Sequence, residues 1–217
     1  MQQRIITVVL IIGLFFGLIS LAVGMSSWRL PDRETGYSPE QPIDYSHRLH
    51  AGELQIDCQF CHTAADKSRH AGIPSNDVCM KCHKFVTSSF DALQDEVKVA
   101  EAENRKPKQL VSEELRKLYD SMGLDETLKP DPTATSASIP WQRVHNLPDY
   151  VYFDHRAHVS AGVKCQRCHG PVESMERVRQ VESLSMGWCV NCHRETTKTG
   201  IDGRSVHAST DCAVCHY

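Results

Sequence analysis

Residues 153–169 read Phe153-Asp-His155-Arg-Ala-His158-Val-Ser-Ala-Gly-Val-Lys-Cys165-Gln-Arg-Cys168-His169. An aromatic residue precedes two histidines three positions apart, and a Cys-x-x-Cys-His motif comes next. The same order occurs earlier, in Tyr45-Ser-His47-Arg-Leu-His50 and then Cys58-Gln-Phe-Cys61-His62. A second motif trails each copy: Cys79-Met-Lys-Cys82-His83 begins 21 positions after Cys58, and Cys189-Val-Asn-Cys192-His193 begins 24 positions after Cys165. Cys212-Ala-Val-Cys215-His216 closes the chain. Self-similarity on this scale reads as a duplicated unit, here with a fifth motif added.

These five motifs use all ten cysteines. The spacing suits covalent haem attachment. Two thiols must reach the vinyl groups on one porphyrin edge, and a two-residue turn aims both sulfurs the same way. The next histidine then lies over the ring face and offers its imidazole to iron. Other uses of cysteine fit less well. Structural zinc needs four ligands per site, and five three-ligand motifs do not pair evenly. A thioredoxin-like pair needs one motif and no histidine, and disulfides do not require the histidines.

Five irons ligated on one face by His62, His83, His169, His193 and His216 need distal partners. Seven histidines remain of the twelve. His47, His50, His155 and His158 form the repeated pairs, and residues at i and i+3 project together from a helical turn. His145, in Trp141-Gln-Arg-Val-His145-Asn-Leu-Pro-Asp149, is the expected fifth. His70 and His207 carry no assignment. Met175 and Met186 are rivals for one site, since Met/His ligation raises the potential, although methionine is more often core filler.

Ile5 to Met25 contains no charged residue. A helix of that length spans roughly 30 Å, the thickness of a bilayer core. A cleaved leader has a shorter apolar region, about 7–15 residues, so the length favours a retained anchor. Trp28 stands where an interfacial aromatic would. The charge balance, 24 Lys+Arg against 27 Asp+Glu, gives no reason to expect nucleic acid. Haem propionates would make the loaded protein more acidic, suiting a basic partner patch.

The expected organisation is a cytoplasmic N-terminus (1–4), a transmembrane anchor (5–25), a tether (26–41), a dihaem module (42–86), a helical insert (87–140) and a trihaem module (141–217). Within the insert, Ser89–Asn104 and Pro107–Tyr119 read as helices separated by Lys106-Pro107. The insert serves as a spacer or as a docking surface. The expected fold class is mostly α with low regular content, a haem-cored multihaem cytochrome c on a single N-terminal transmembrane helix. Porphyrins would supply much of the buried apolar surface.

The aromatic-x-His-x-x-His element before a haem motif resembles the small tri- and tetrahaem cytochromes. The N-terminal helix, the five motifs, Val144-His145-Asn-Leu-Pro-Asp149, Met186-Gly-Trp-Cys189-Val-Asn-Cys192-His193-Arg194 and Cys215-His216-Tyr217 more closely resemble the pentahaem cytochrome c subunit (ActA) of bacterial alternative complex III. That resemblance covers nearly the whole chain. It implies five covalently bound haem c groups in an electron-relay subunit on the periplasmic side of the inner membrane. It implies as partners polytopic quinone-binding membrane subunits, an iron–sulfur subunit related to molybdopterin enzymes and a monohaem cytochrome c. A periplasmic carrier or a terminal cytochrome c oxidase would take the electrons. No residue would be catalytic. The alternatives are a free-standing quinol dehydrogenase cytochrome and a multihaem redox enzyme with an open iron position.

Overall fold

The computed structural model describes residues 2–27 and 34–216. Trp28 and Tyr217 lie outside the described residues.

Helix α1 (Gln2–Ser27) is apolar on every side. Phe15 and Phe16 are 60% and 62% exposed, touching each other but covered by no other part of the chain. The stretch from Gln2 to Gly24 is long and apolar enough to cross a membrane, rising about 35 Å at 1.5 Å per residue.

The remainder is mostly helical. Among the described residues no strand forms, and pairing is limited to the isolated bridges Leu124–Pro130, Val151–His216 and Ile201–Arg204. The Cys-x-x-Cys-His segments make or end helices: α2 (Cys58–Cys61), α3 (Asn76–His83), α7 (Gln166–His169), α8 (Met186–Thr199) and α9 (Cys212–Cys215). Local chemistry starts them. Asp57 and Asp211 stand just before the first cysteine of their motifs and accept the backbone N–H two residues on. Ser185 accepts from the Trp188 N–H. Short polar side chains at these positions satisfy N–H groups that a helix start leaves unpaired.

The two histidine pairs lie on different turns. In the second copy, α6 (His155–Ala161) ends at Gly162, whose φ of 90° is the left-handed cap that glycine adopts without strain. In the first copy, Arg48–Glu53 forms a π turn, with Leu54 N–H reaching back to the Leu49 carbonyl (2.9 Å). The gap from second histidine to cysteine is one residue longer in this copy, His50 to Cys58 against His158 to Cys165. A wider turn absorbs an added residue without displacing the haem motif beyond it.

The insert contains α4 (Phe90–Ala102), capped by Ser89, and α5 (Glu113–Ser121), capped by Ser112. The second helix therefore starts later than its composition suggested. Residues 107–111 are irregular because Pro107 lacks an N–H and the Ser112 side chain supplies the cap. The insert does not hang free. Thr87 hydroxyl donates to the Leu110 carbonyl (2.6 Å), and Tyr119, fully buried, donates from its hydroxyl to the His83 carbonyl (2.5 Å). We expect Tyr119→Ala to cost about 3–5 kcal/mol, the usual loss for a buried aromatic, read as a lower denaturation midpoint of the haem-loaded protein. Tyr119→Phe should cost about 1 kcal/mol, one hydrogen bond.

The stretch expected as a tether is also fastened over its second half. Gly36 N–H donates to Gln180 O (2.7 Å), Gln180 N–H donates to Tyr37 O (3.0 Å), and the Gln41 side chain makes two hydrogen bonds to the Gln142 backbone. Few side chains are buried. Among the described residues the apolar ones are Ala65, Ala100, Leu118, Tyr119 and Met175. Met175 is thus core, the usual place for a methionine, while Met186 is 69% exposed.

Candidate haem centres

Each motif folds into one helical turn. The backbone N–H of His62, His169 and His216 donates to the carbonyl of the first cysteine of its motif, at 2.9, 3.0 and 2.9 Å. This turn carries both thiols and the imidazole on one short element. All ten cysteines are free.

The imidazoles are oriented by the backbone. Nδ1 donates to a carbonyl in His62 (Gly72, 2.7 Å), His83 (Val86, 2.8 Å), His193 (Ser209, 2.5 Å) and His216 (Tyr150, 3.4 Å). On the distal side, His50 donates to Ser46 O (2.8 Å), His158 to Asp154 O (2.9 Å) and His155 to Arg69 O (2.9 Å). An Nδ1 held this way fixes the tautomer and leaves Nε2 as the free lone pair, the arrangement that presents imidazole to a metal.

The two histidine pairs repeat each other closely. Tyr45 meets His47 edge-on at 4.9 Å and stacks on His50 at 4.4 Å. Phe153 meets His155 edge-on at 4.8 Å and stacks on His158 at 4.6 Å. The aromatic residue thus props both rings of its copy. Across from them, His50 faces His83 at 6.1 Å between ring centres, and His158 faces His193 at 6.0 Å. His155 and His169 lie 6.4 Å apart. Two imidazoles on opposite faces of one metal, each about 2 Å from it through nitrogen, place their ring centres roughly 6 Å apart.

His145 packs against His169 at 4.3 Å, and its Nε2 is buried with no hydrogen-bond partner. The buried Nδ1 of His47 has none either. Burial, and then the neighbouring His62 and His50, push the His47 pKa down to about 4. Burial followed by His145 does the same to His169, to about 4. Burial also lowers His145 and His158. All four rings are therefore neutral near pH 7, the form that can coordinate metal.

Every proximal and candidate distal histidine is partly buried, whereas His70 and His207 are exposed. Spacing alone did not separate them. The ring that stacks on His216 is Tyr150, at 5.9 Å. Among the described residues no three of His, Cys, Asp and Glu are grouped as they would be around a bare ion. The donor set fits haem: paired thiols beside an oriented imidazole, with a second imidazole across a gap of the right size.

The family described as cytochrome c7 and related cytochrome c matches residues 151–217, which start at the second histidine pair and include three motifs. That C-terminal part thus resembles the multihaem cytochromes c. The chain is also similar, at 25% identity over 223 residues, to the "Menaquinone reductase, multiheme cytochrome c subunit" of Nitratidesulfovibrio vulgaris (strain Hildenborough), a match covering 93% of this chain and 88% of that one.

Proposed function

We propose that this cytochrome carries five haem c groups and relays electrons between a quinone-linked membrane complex and a carrier or oxidase on the periplasmic side. The single observation that carries the reading is the repeated pairing of imidazoles about 6 Å apart, His50 with His83 and His158 with His193. At the irons they flank, such pairs would close both faces and leave no open position for a substrate, as a relay requires.

Ten cysteines from Cys58 to Cys215 would form the thioether links, and His62, His83, His169, His193 and His216 would be the proximal ligands. The proposed distal set is His47, His50, His145, His155 and His158; His50 and His158 face His83 and His193, whereas His145 and His155 both lie against His169 and the ring on His216 is that of Tyr150. When bound, haem supplies an iron that gains or loses one electron without a bond being made. Backbone carbonyls hold the rings of His50, His62, His83, His155, His158, His193 and His216 in place through that change. Tyr45 and Phe153 brace the distal rings.

The candidate complex is alternative complex III, with polytopic quinone-binding subunits, an iron–sulfur subunit and a monohaem cytochrome. Helix α1 would be the retained anchor, with the haem modules outside the inner membrane. A second reading rests on the menaquinone reductase relative: the same wire would run toward the quinone pool. Purification in mild detergent tests the complex, and co-elution of polytopic and iron–sulfur subunits is expected. A chain that always elutes alone removes the complex. Adding a quinol to the purified assembly separates the directions. Prompt haem reduction supports quinol oxidation, and quinone reduction by pre-reduced haems without it supports the reverse.

A further inference from the structure

We infer that the five attachment motifs form one unbranched series, not in chain order, with the Cys79–His83 and Cys212–His216 haems at its two ends. The inference rests on the five-haem reading of the proposed function. The order comes from contacts between motifs. Lys81, inside the second motif, places its ammonium 5.0 Å from the ring centre of Phe60, inside the first. The first motif then turns toward the third rather than onward along the chain. The Cys58 and Cys165 thiols are close enough to act on each other electrostatically, and the turns beside them interlock. Arg48 N–H donates to Met175 O (2.9 Å), and a Cβ at Gly52 would fall 2.2 Å from Glu173 O.

From the third motif the contacts lead to the fourth. Arg167 binds Glu195 on α8 at 2.9 Å, and the Cys192 thiol acts on its guanidinium. The fourth then leads to the fifth. His193 donates to Ser209 O at 2.5 Å, and Thr197 and Ala208 exchange two hydrogen bonds just before Cys212. The sequence of haems is thus second, first, third, fourth, fifth. The junction between the duplicated units lies at their first motifs, where Cys58 meets Cys165.

A series of this kind gives electrons two termini. The Cys79–His83 end is walled by the insert through Tyr119 on the His83 carbonyl. The Cys212–His216 end is formed by the last residues of the chain, held by Tyr152 N–H on Cys215 O (2.8 Å).

The test uses the haem-loaded full chain. His50→Met would raise the potential of the haem at the Cys79–His83 end, and His158→Met that of an interior haem. In a redox titration monitored by electron paramagnetic resonance, each substituted haem is reduced first and ceases to couple magnetically to its neighbours. We expect His50→Met to alter one other haem signal at that step and His158→Met to alter two. Two altered signals for His50→Met, or one for His158→Met, overturns the order. Pulsed dipolar distances on the unsubstituted protein read the same point without a variant. Four short iron–iron distances with no iron having three near neighbours are expected, and an iron with three overturns the series. Fewer than five haems in the starting protein would instead defeat the five-haem reading, which a pigment assay of the same sample reports separately.

Discussion

His158→Ala is expected to turn about a fifth of the haem from low-spin to high-spin, because one iron of five would lose its second imidazole. His158 lies 6.0 Å from His193 across the site, its Nδ1 held by Asp154 O and its ring stacked on Phe153. No neighbouring histidine is placed to substitute. His155 is tied to Arg69 O and faces His169 instead. A five-coordinate iron changes geometry on reduction, and each added ~1.4 kcal/mol of barrier slows transfer tenfold, so flow past this haem should fall by about tenfold or more. His155→Ala should do the same to a different haem. Paramagnetic resonance and flash-reduction kinetics read both effects, and unchanged spectra in both variants would remove the distal assignment.

The second large effect concerns the thiols. Denaturing the protein should leave all of its pigment on the polypeptide, with an intact mass corresponding to five haems. Replacing Cys189 and Cys192 together by alanine should remove about a fifth of that pigment, one site of five. The same change should weaken the fold near α8. The chain buries few apolar side chains of its own, Met175 among them. A domain with so small a core depends on its prosthetic groups for buried apolar surface. Pigment extractable after denaturation would end the thioether reading.

Several elements of the fold were legible in the sequence for plain reasons. The motif turns are local: a few backbone atoms and a capping Asp or Ser settle them, and the spacing of two cysteines and a histidine admits little else. The apolar run of α1 is likewise a property of consecutive residues. Less legible were the π turn at Arg48–Glu53 and the start of α5. The first depends on where one extra residue before Cys58 is accommodated, and the duplicate's α6 offered no hint of it. The second depends on a proline removing a donor and a serine five residues later supplying the cap. The stretch 36–41 looked like a tether because it is polar and broken by Pro39. Its hydrogen bonds go to Gln142 and Gln180, more than a hundred positions away, and no local pattern announces them.

The distal histidines divide in the same way. The two aromatic-x-His-x-x-His elements advertise themselves by repetition, while His145 was singled out only by its segment and His207 carried no assignment. What distinguishes them is that the His145 Nε2 is buried and unpartnered against His169, whereas His207 is exposed.

By itself the sequence determined a helical chain with five Cys-x-x-Cys-His turns and a long apolar N-terminal helix, because attachment chemistry is written in residues that stand side by side. Only the tertiary structure decided which imidazoles face each other and which motifs touch. Both are matters of distance between residues far apart in the chain, and they depend on how the two copies close on one another at Gly52, Cys58 and Cys165.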